Sequence, residues 1–222
     1  MMKNYPSMCN DLVLKEPTRR DISNIIPPNY SSWQTIELTH ECCKYVIKEG
    51  IDGAFVECGV AAGNNFAAMC LAGRHGFGFD SFQGIPWAGV NDTEQPGIGS
   101  KDLSKQGILE SSGITVHHIW HVINDMVKYN IKNYSLIKGW FQDTCPKWMG
   151  SISVLRLDGD LYDSTFVPLK YLYGQLNDGG ILIIDDWQLD GCRKAFENFF
   201  DYVSQEGRPR LVYDNGVTYW QK

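Results

Sequence analysis

Ile152-Ser153-Val154-Leu155-Arg156-Leu157-Asp158-Gly159-Asp160-Leu161-Tyr162 and, with its carboxylates 27 residues further on, Ile181-Leu182-Ile183-Ile184-Asp185-Asp186-Trp187 share one plan: a short apolar run that ends on aspartates. Apolar runs of this length read as central strands buried on both faces. The interval from Asp158 to Asp185 suits a strand end, a covering helix over 165–176 and a parallel return strand.

Working outward, the same alternation continues. Ala54-Phe55-Val56-Glu57-Cys58, Phe77-Gly78-Phe79-Asp80 and Ser135-Leu136-Ile137-Lys138 read as three earlier strands. Helical spacing marks 33–48, 64–71, 119–131 and 191–204, with Gly50 and Gly73 as stops. Strands alternating with helices predict an α/β fold: a doubly wound, mostly parallel sheet covered on both faces. The C-terminal stretch departs from this pattern. Arg210-Leu211-Val212-Tyr213 and Val217-Thr218-Tyr219-Trp220 flank Asp214-Asn215-Gly216, an Asn-Gly turn signal for a final antiparallel hairpin. We read 1–222 as one domain, with an irregular arm over 1–30. Ser81 to Ile114 shows no clear element and is broken by Pro86, Pro96 and Gly97. A loop this long in a compact domain is usually functional, so 81–116 is read as a lid.

Ligands of open α/β sheets bind beyond the carboxyl ends of the strands. Four of the five strands carry acids there: Glu57, Asp80, Asp158, and Asp185 with Asp186. Glu57-Cys58-Gly59-Val60-Ala61-Ala62-Gly63 is a strand, a glycine turn and a helix start, suited to close approach by a ligand and to an anionic group at the helix N-terminus. Asp80, at the end of the next strand, stands where a ribose hydroxyl pair is usually held. Together they indicate an adenosine cofactor and do not choose between NAD and S-adenosylmethionine. If the strands ending at Asp158 and Asp185 are neighbours, their carboxylates converge. Such acids beside buried aliphatics are costly unless compensated. A hard, oxygen-liking cation such as Mg²⁺ would compensate Asp158, Asp185 and Asp186. Asp160 and Asp163 are read as solvated or capping residues. His117, His118 and His121 lack metal-ligand spacing and are read as helix-surface residues. Trp87, Trp140 and Trp187 each lie in the lid or follow a strand end.

Composition narrows the classes. A net charge of −6 without a Lys/Arg run argues against nucleic-acid binding. Seven cysteines without a C-x-x-C pair read as reduced thiols of a cytoplasmic protein. No stretch suits a signal peptide or a membrane span. There is neither a G-x-S-x-G elbow nor a P-loop. A homodimer is compatible with the apolar N-terminal helix region.

Phe55-Val56-Glu57-Cys58-Gly59-Val60, Gly78-Phe79-Asp80-Ser81-Phe82-Gln83-Gly84-Ile85-Pro86, Lys138-Gly139-Trp140-Phe141-Gln142-Asp143, Asp158-Gly159-Asp160-Leu161-Tyr162-Asp163-Ser164-Thr165 and Asp185-Asp186-Trp187 occur in that order. Over roughly 33–204 the chain resembles the macrocin O-methyltransferase (TylF/MycF) family of sugar O-methyltransferases. The resemblance implies the class I methyltransferase (Rossmann-like) fold, S-adenosylmethionine and Mg²⁺. It implies cofactor contacts at Glu57, Cys58, Gly59, Val60, Ala61 and Gly63 for the methionine end, and at Asp80, Ser81, Phe82 and Gly84 for the ribose. Trp140, Leu157 and Asp158 would lie near the adenine and the active centre. Asp158, Asp185 and Asp186 would be the metal ligands, with Asp158 also the base. The acceptor would be a hydroxylated small molecule, a sugar or glycoside. An NAD-dependent oxidoreductase and a catechol-type O-methyltransferase are the alternatives.

Overall fold

The computed structural model describes residues 22, 26, 31–92, 103–203, 212–214 and 217–222. Its elements are α1 (Trp33–Lys48), β1 (Ala54–Cys58), α2 (Asn64–Leu71), β2 (Gly76–Asp80), α3 (Ile119–Lys128), β3 (Tyr134–Lys138), α4 (Phe141–Thr144), β4 (Ile152–Leu157), α5 (Tyr162–Leu172), β5 (Leu176–Ile184), α6 (Asp190–Val203), β6 (Val212–Asp214) and β7 (Val217–Gln221). The strands form one seven-stranded sheet in the order β3-β2-β1-β4-β5-β7-β6. β1 to β5 run parallel, and β7 is antiparallel to both β5 and β6. This is the α/β fold expected from the sequence. The strand order reverses between β1 and β4, so a crevice opens above their carboxyl ends.

Alternation along the strands feeds two cores. Phe55, Val154, Ile181 and Ile183 pack against Leu38, Cys42 and Val46 of α1 and Met69 of α2. Val56, Leu155 and Leu182 pack against Leu169 and Leu172 of α5 and Phe196, Phe199 and Phe200 of α6. Burying each such side chain contributes roughly 1.5–3 kcal/mol, so the sheet that carries the crevice is held rigidly from both sides. α1 begins where Ser32 Oγ accepts the Thr35 N–H at 3.2 Å, and the chain leaves it through Gly50 at φ 69°.

The differences from the sequence reading have local causes. β5 extends back to Leu176, across Asn177-Asp178-Gly179-Gly180, because Gly179 and Gly180 exchange backbone hydrogen bonds with Lys222. α5 starts earlier and stops earlier than 165–176, and a 3-10 turn follows over Tyr173–Gln175. α3 ends at Lys128, where Asn130 takes a left-handed φ of 56°. α4 is one turn long and carries no readable periodicity. Of the arm over 1–30, only Ile22 and Ile26 are described. Ile26 is fully buried in a cluster with Val122 and Met126 of α3. The lid's residues 93–102 and the Asn215-Gly216 turn lie outside the described residues, although Asp214 and Val217 pair as partners on either side of that turn. The described lid arms meet through a bridge between Pro86 and Ser111. Among the described residues, no helix is long and apolar enough to cross a membrane.

Candidate active site

A cleft of about 350 Å³ opens at the carboxyl ends of β1, β2, β4 and β5. One half of it is the β1–α2 turn. Gly59 adopts φ 99°, and a Cβ there would stand 1.7 Å from the backbone carbonyl oxygen of Asp158. The group that approaches Gly59 is therefore the end of β4, which also donates the Asp158 N–H to the Cys58 carbonyl at 2.9 Å. Gly63, at φ 87°, starts α2 with no side-chain cap, leaving amide donors at the helix N-terminus. Asp80 braces this turn from β2. Its Oδ2 accepts the Ala61 N–H at 2.9 Å and its Oδ1 accepts the Phe82 N–H at 2.6 Å. Burial nonetheless pushes its carboxyl up. Asn65 also lines the cleft. Its Nδ2 donates to Ser31 Oγ at 2.6 Å, while its buried Oδ1 has no partner.

The other half is built of charge. Glu57 and Arg156 are register partners on β1 and β4, so their side chains share one face of the sheet. Arg156 is fully buried. Its Nη1 donates to Glu57 Oε1 and to Asp158 Oδ2, each at 2.7 Å. Its Nη2 forms an ion pair with Asp185 Oδ1 at 2.9 Å. Burial alone would lower the guanidinium pKa, but the three surrounding carboxylates raise it further, so Arg156 stays charged. Asp186 Oδ2 accepts the Asp160 N–H at 3.0 Å. Each of the three aspartates thus has one oxygen engaged and another to offer.

One carboxylate oxygen from each of Asp158, Asp185 and Asp186 lies within 4.8 Å of the other two. Three carboxylate donors at this spacing suit a hard divalent cation. The charge balance fits it too. One guanidinium, that of Arg156, pairs with Glu57, Asp158 and Asp185, while Asp160 and Asp186 add further acid beside them. Burial, with neighbouring acids, pushes Glu57 up to about 8, Asp160 to about 7 and Asp185 to about 6, and raises Asp186 strongly. Without a cation, the cluster relieves its repulsion by taking up protons.

The structure sorts the residues singled out in the sequence. Glu57, Gly59, Val60, Ala61, Gly63, Asp80, Ser81, Gly84, Trp140, Asp158, Asp185 and Asp186 all line the cleft. Cys58, Phe82 and Leu157 do not, because their side chains belong to the buried cores. His118 and His121 are exposed, and no histidine lines the cleft. Of the tryptophans, Trp140 lines it, Trp187 packs on Phe196, and Trp87 lies under Lys105. Sequence reasoning missed Arg156 as the hub, for which the signal was a lone arginine inside an apolar strand. It also missed Asp160, which lines the cleft with a left-handed φ of 61°.

Residues 32–222 match the family model for macrocin-O-methyltransferase (TylF). A curated relative from Streptomyces olivaceus, 8-demethyl-8-(2,3-dimethoxy-alpha-L-rhamnosyl)-tetracenomycin-C 4'-O-methyltransferase, is 33% identical over 71% of this chain and 62% of its own. Mycinamicin III 3''-O-methyltransferase from Micromonospora griseorubida is 30% identical over 82% of this chain and 73% of its own. The chain thus spans somewhat under two thirds of the first relative and somewhat more of the second. Among solved structures, the O-methyltransferase NovP superposes with a TM-score of 0.68 at 27% identity, covering 84% of this chain and 78% of that one.

Proposed function

Since the chain belongs to the macrocin-O-methyltransferase (TylF) family, we propose that it transfers the methyl group of S-adenosylmethionine to a hydroxyl of a sugar or glycoside, with Mg²⁺ held by Asp158, Asp185 and Asp186. The observation that carries this reading is the three-aspartate cluster directly beside the Gly59 turn, with the Asp158 carbonyl against Gly59 itself. A methyl donor seated on the turn and a hydroxyl oriented at the aspartates would be neighbours, and holding two reactants in line supplies much of such a reaction's acceleration.

The cofactor supplies an electrophilic methyl group, and the cation, when bound, stabilises negative charge developing on the acceptor oxygen. The chain's own residues do the rest. The α2 N-terminus and Asn65 meet the polar end of the cofactor, and Asp80 meets its ribose through lone pairs not used by Ala61 and Phe82. Arg156 holds Asp158 and Asp185 in place. Asp158 takes the hydroxyl proton, a step typically worth ~10²–10⁴-fold in rate. Asp160 is the second candidate for that role: it lines the cleft, and the neighbouring charges that act on its carboxyl are those of Asp158 and Asp185, with no guanidinium holding it ionised. Ile85, Pro86 and Thr115 from the lid arms cover the acceptor side.

The lining also bears on the acceptor's charge. Among the described residues, it includes Glu57, Asp80, Asp158, Asp160, Asp185 and Asp186, and no Lys, Arg or His. An uncharged glycoside fits this wall better than a sugar carrying a diphosphate. The test is methyl transfer with Mg²⁺ over glycosides, nucleotide-linked sugars and catechols, with a chelator and Asp158→Asn as controls. Transfer to a glycoside that chelation abolishes supports the reading. Full activity in chelator sinks the metal. Full activity in Asp158→Asn moves the base to Asp160. A thermal shift with S-adenosylhomocysteine and none with NAD separates this reading from an oxidoreductase.

A further inference from the structure

Asp92 lies away from the cleft lining, yet it is only 4% exposed. Its Oδ1 accepts the Tyr162 N–H at 2.7 Å, and its Oδ2 accepts the Gly89 N–H at 3.0 Å. Tyr162 is the first residue of α5, and Leu161 before it offers no side-chain cap. The cap arrives instead from a loop far away in sequence. Gly191, in the first turn of α6, closes the other side: a Cβ there would stand 2.0 Å from Asp92 Oδ1. One buried carboxylate is therefore seated at the starts of two helices, where the peptide dipoles favour negative charge. Asp163 also faces this carboxylate and disfavours its charge, whereas Lys194 favours it.

These two helices directly follow the loops that carry Asp158 and Asp185-Asp186. The segment bearing Asp92 is the first arm of the lid, which Ile85 N–H to Ile114, Ser112 N–H to Ile85 and Gly107 N–H to Ala88 join to the second arm at 2.9–3.0 Å. We propose that Asp92 is a positioning residue: it pins the 85–92 arm across the starts of α5 and α6 and so fixes where Ile85 and Pro86 stand in the wall of the cleft that also holds the three aspartates. The pin is independent of the methyltransferase reading. Its consequence for the acceptor rests on that reading.

Native-state hydrogen exchange tests the pin. In Asp92→Ala, the amides of Tyr162, Ile85, Gly107 and Ser112 exchange about tenfold faster, the scale of a lost helix cap, while β4 and β5 amides keep their protection. Asp92→Asn, which keeps a side-chain carbonyl, restores much of the Tyr162 protection. Gly191→Ala displaces the carboxylate sterically and reproduces Asp92→Ala, and the double variant is no worse than either single one. A Tyr162 amide still protected in Asp92→Ala overturns the proposal. So does acceleration spread evenly over the sheet, which would make Asp92 merely structural. With a glycoside that turns over in the screen above, Asp92→Ala raises the acceptor KM about tenfold and leaves the KM for S-adenosylmethionine unchanged. Equal change in both overturns the positioning role. If the wild-type protein binds no S-adenosylhomocysteine by calorimetry, the methyltransferase reading falls, and the exchange results still decide the pin.

Discussion

The two halves of the cleft are held by different physics. Around Gly59 and Asp80, backbone amides meet a single carboxylate, and the shape of the turn depends on glycine at φ 99° and φ 87°. Around Asp158, Asp185 and Asp186, side-chain charge dominates, and one buried guanidinium is shared among more carboxylates than it can neutralise. The first half has its shape fixed by backbone hydrogen bonds before any ligand arrives. The second is left electrostatically incomplete. A preformed cradle tolerates little change of shape, whereas an unbalanced charge cluster responds to pH and to cations. The two halves should therefore fail in different ways.

The largest effect should follow from removing the shared cation. Arg156→Leu leaves Glu57, Asp158 and Asp185 without their counter-charge, and breaking such a buried network typically costs about 3–5 kcal/mol. Denaturant unfolding should show this loss, and Mg²⁺ should recover more stability in the variant than in the wild type. A variant as stable as the wild type would remove the charge-built half of the comparison. Gly59→Ala probes the other half. Forcing a Cβ against the Asp158 carbonyl at a left-handed φ should cost about 1–3 kcal/mol or more, and added Mg²⁺ should not rescue it. Asp80→Asn places an amide donor where a backbone N–H now donates. About 1–2 kcal/mol, or roughly tenfold in S-adenosylhomocysteine affinity, should be lost by calorimetry.

The most gradual effect is the dependence on pH. Asp185 at about 6, Asp160 at about 7 and Glu57 at about 8 all lie above ordinary carboxylates. The folded, metal-free protein therefore holds protons that the unfolded chain releases. This contribution is complete below the unfolded pKa values near 4 and is lost as pH rises through the folded ones. Without metal, stability should fall steadily as pH rises from 6 to 8. The increment from Mg²⁺ should grow over the same range, because ligands must be deprotonated to bind it. Equal Mg²⁺ increments at pH 6 and 8 would show that the carboxylates are already ionised.

Much of this arrangement was legible in the chain. Aspartates at the ends of two apolar runs located the cluster, because neighbouring parallel strands must bring such ends together. The period-two alternation could also have told which way each side chain points. Cys58 shares its face with Val56, and Leu157 with Leu155, so both had to enter the core behind α5 and α6. Glu57 and Arg156 fall on the opposite face, but their pairing depends on register, which no single strand reveals. The role of Asp92 was hidden for a related reason. Nothing local to residue 92 shows that its partners begin two helices some seventy and one hundred positions later. α4 escaped because one turn carries no period.

The contact between Gly59 and the Asp158 carbonyl has a consequence for how acceptor preference can diverge on this scaffold. Adjacent strands in a sheet stand about 4.7–4.9 Å apart whatever their side chains. On the proposed function, the span from methyl donor to aspartate cluster would be ruled by the hydrogen-bond spacing of β1 and β4, not by loop sequence. Exchanging the lid arms for those of a relative should redirect which molecule is modified while leaving the reacting distance where the sheet put it. Selection can work on the roof of this fold without disturbing its floor.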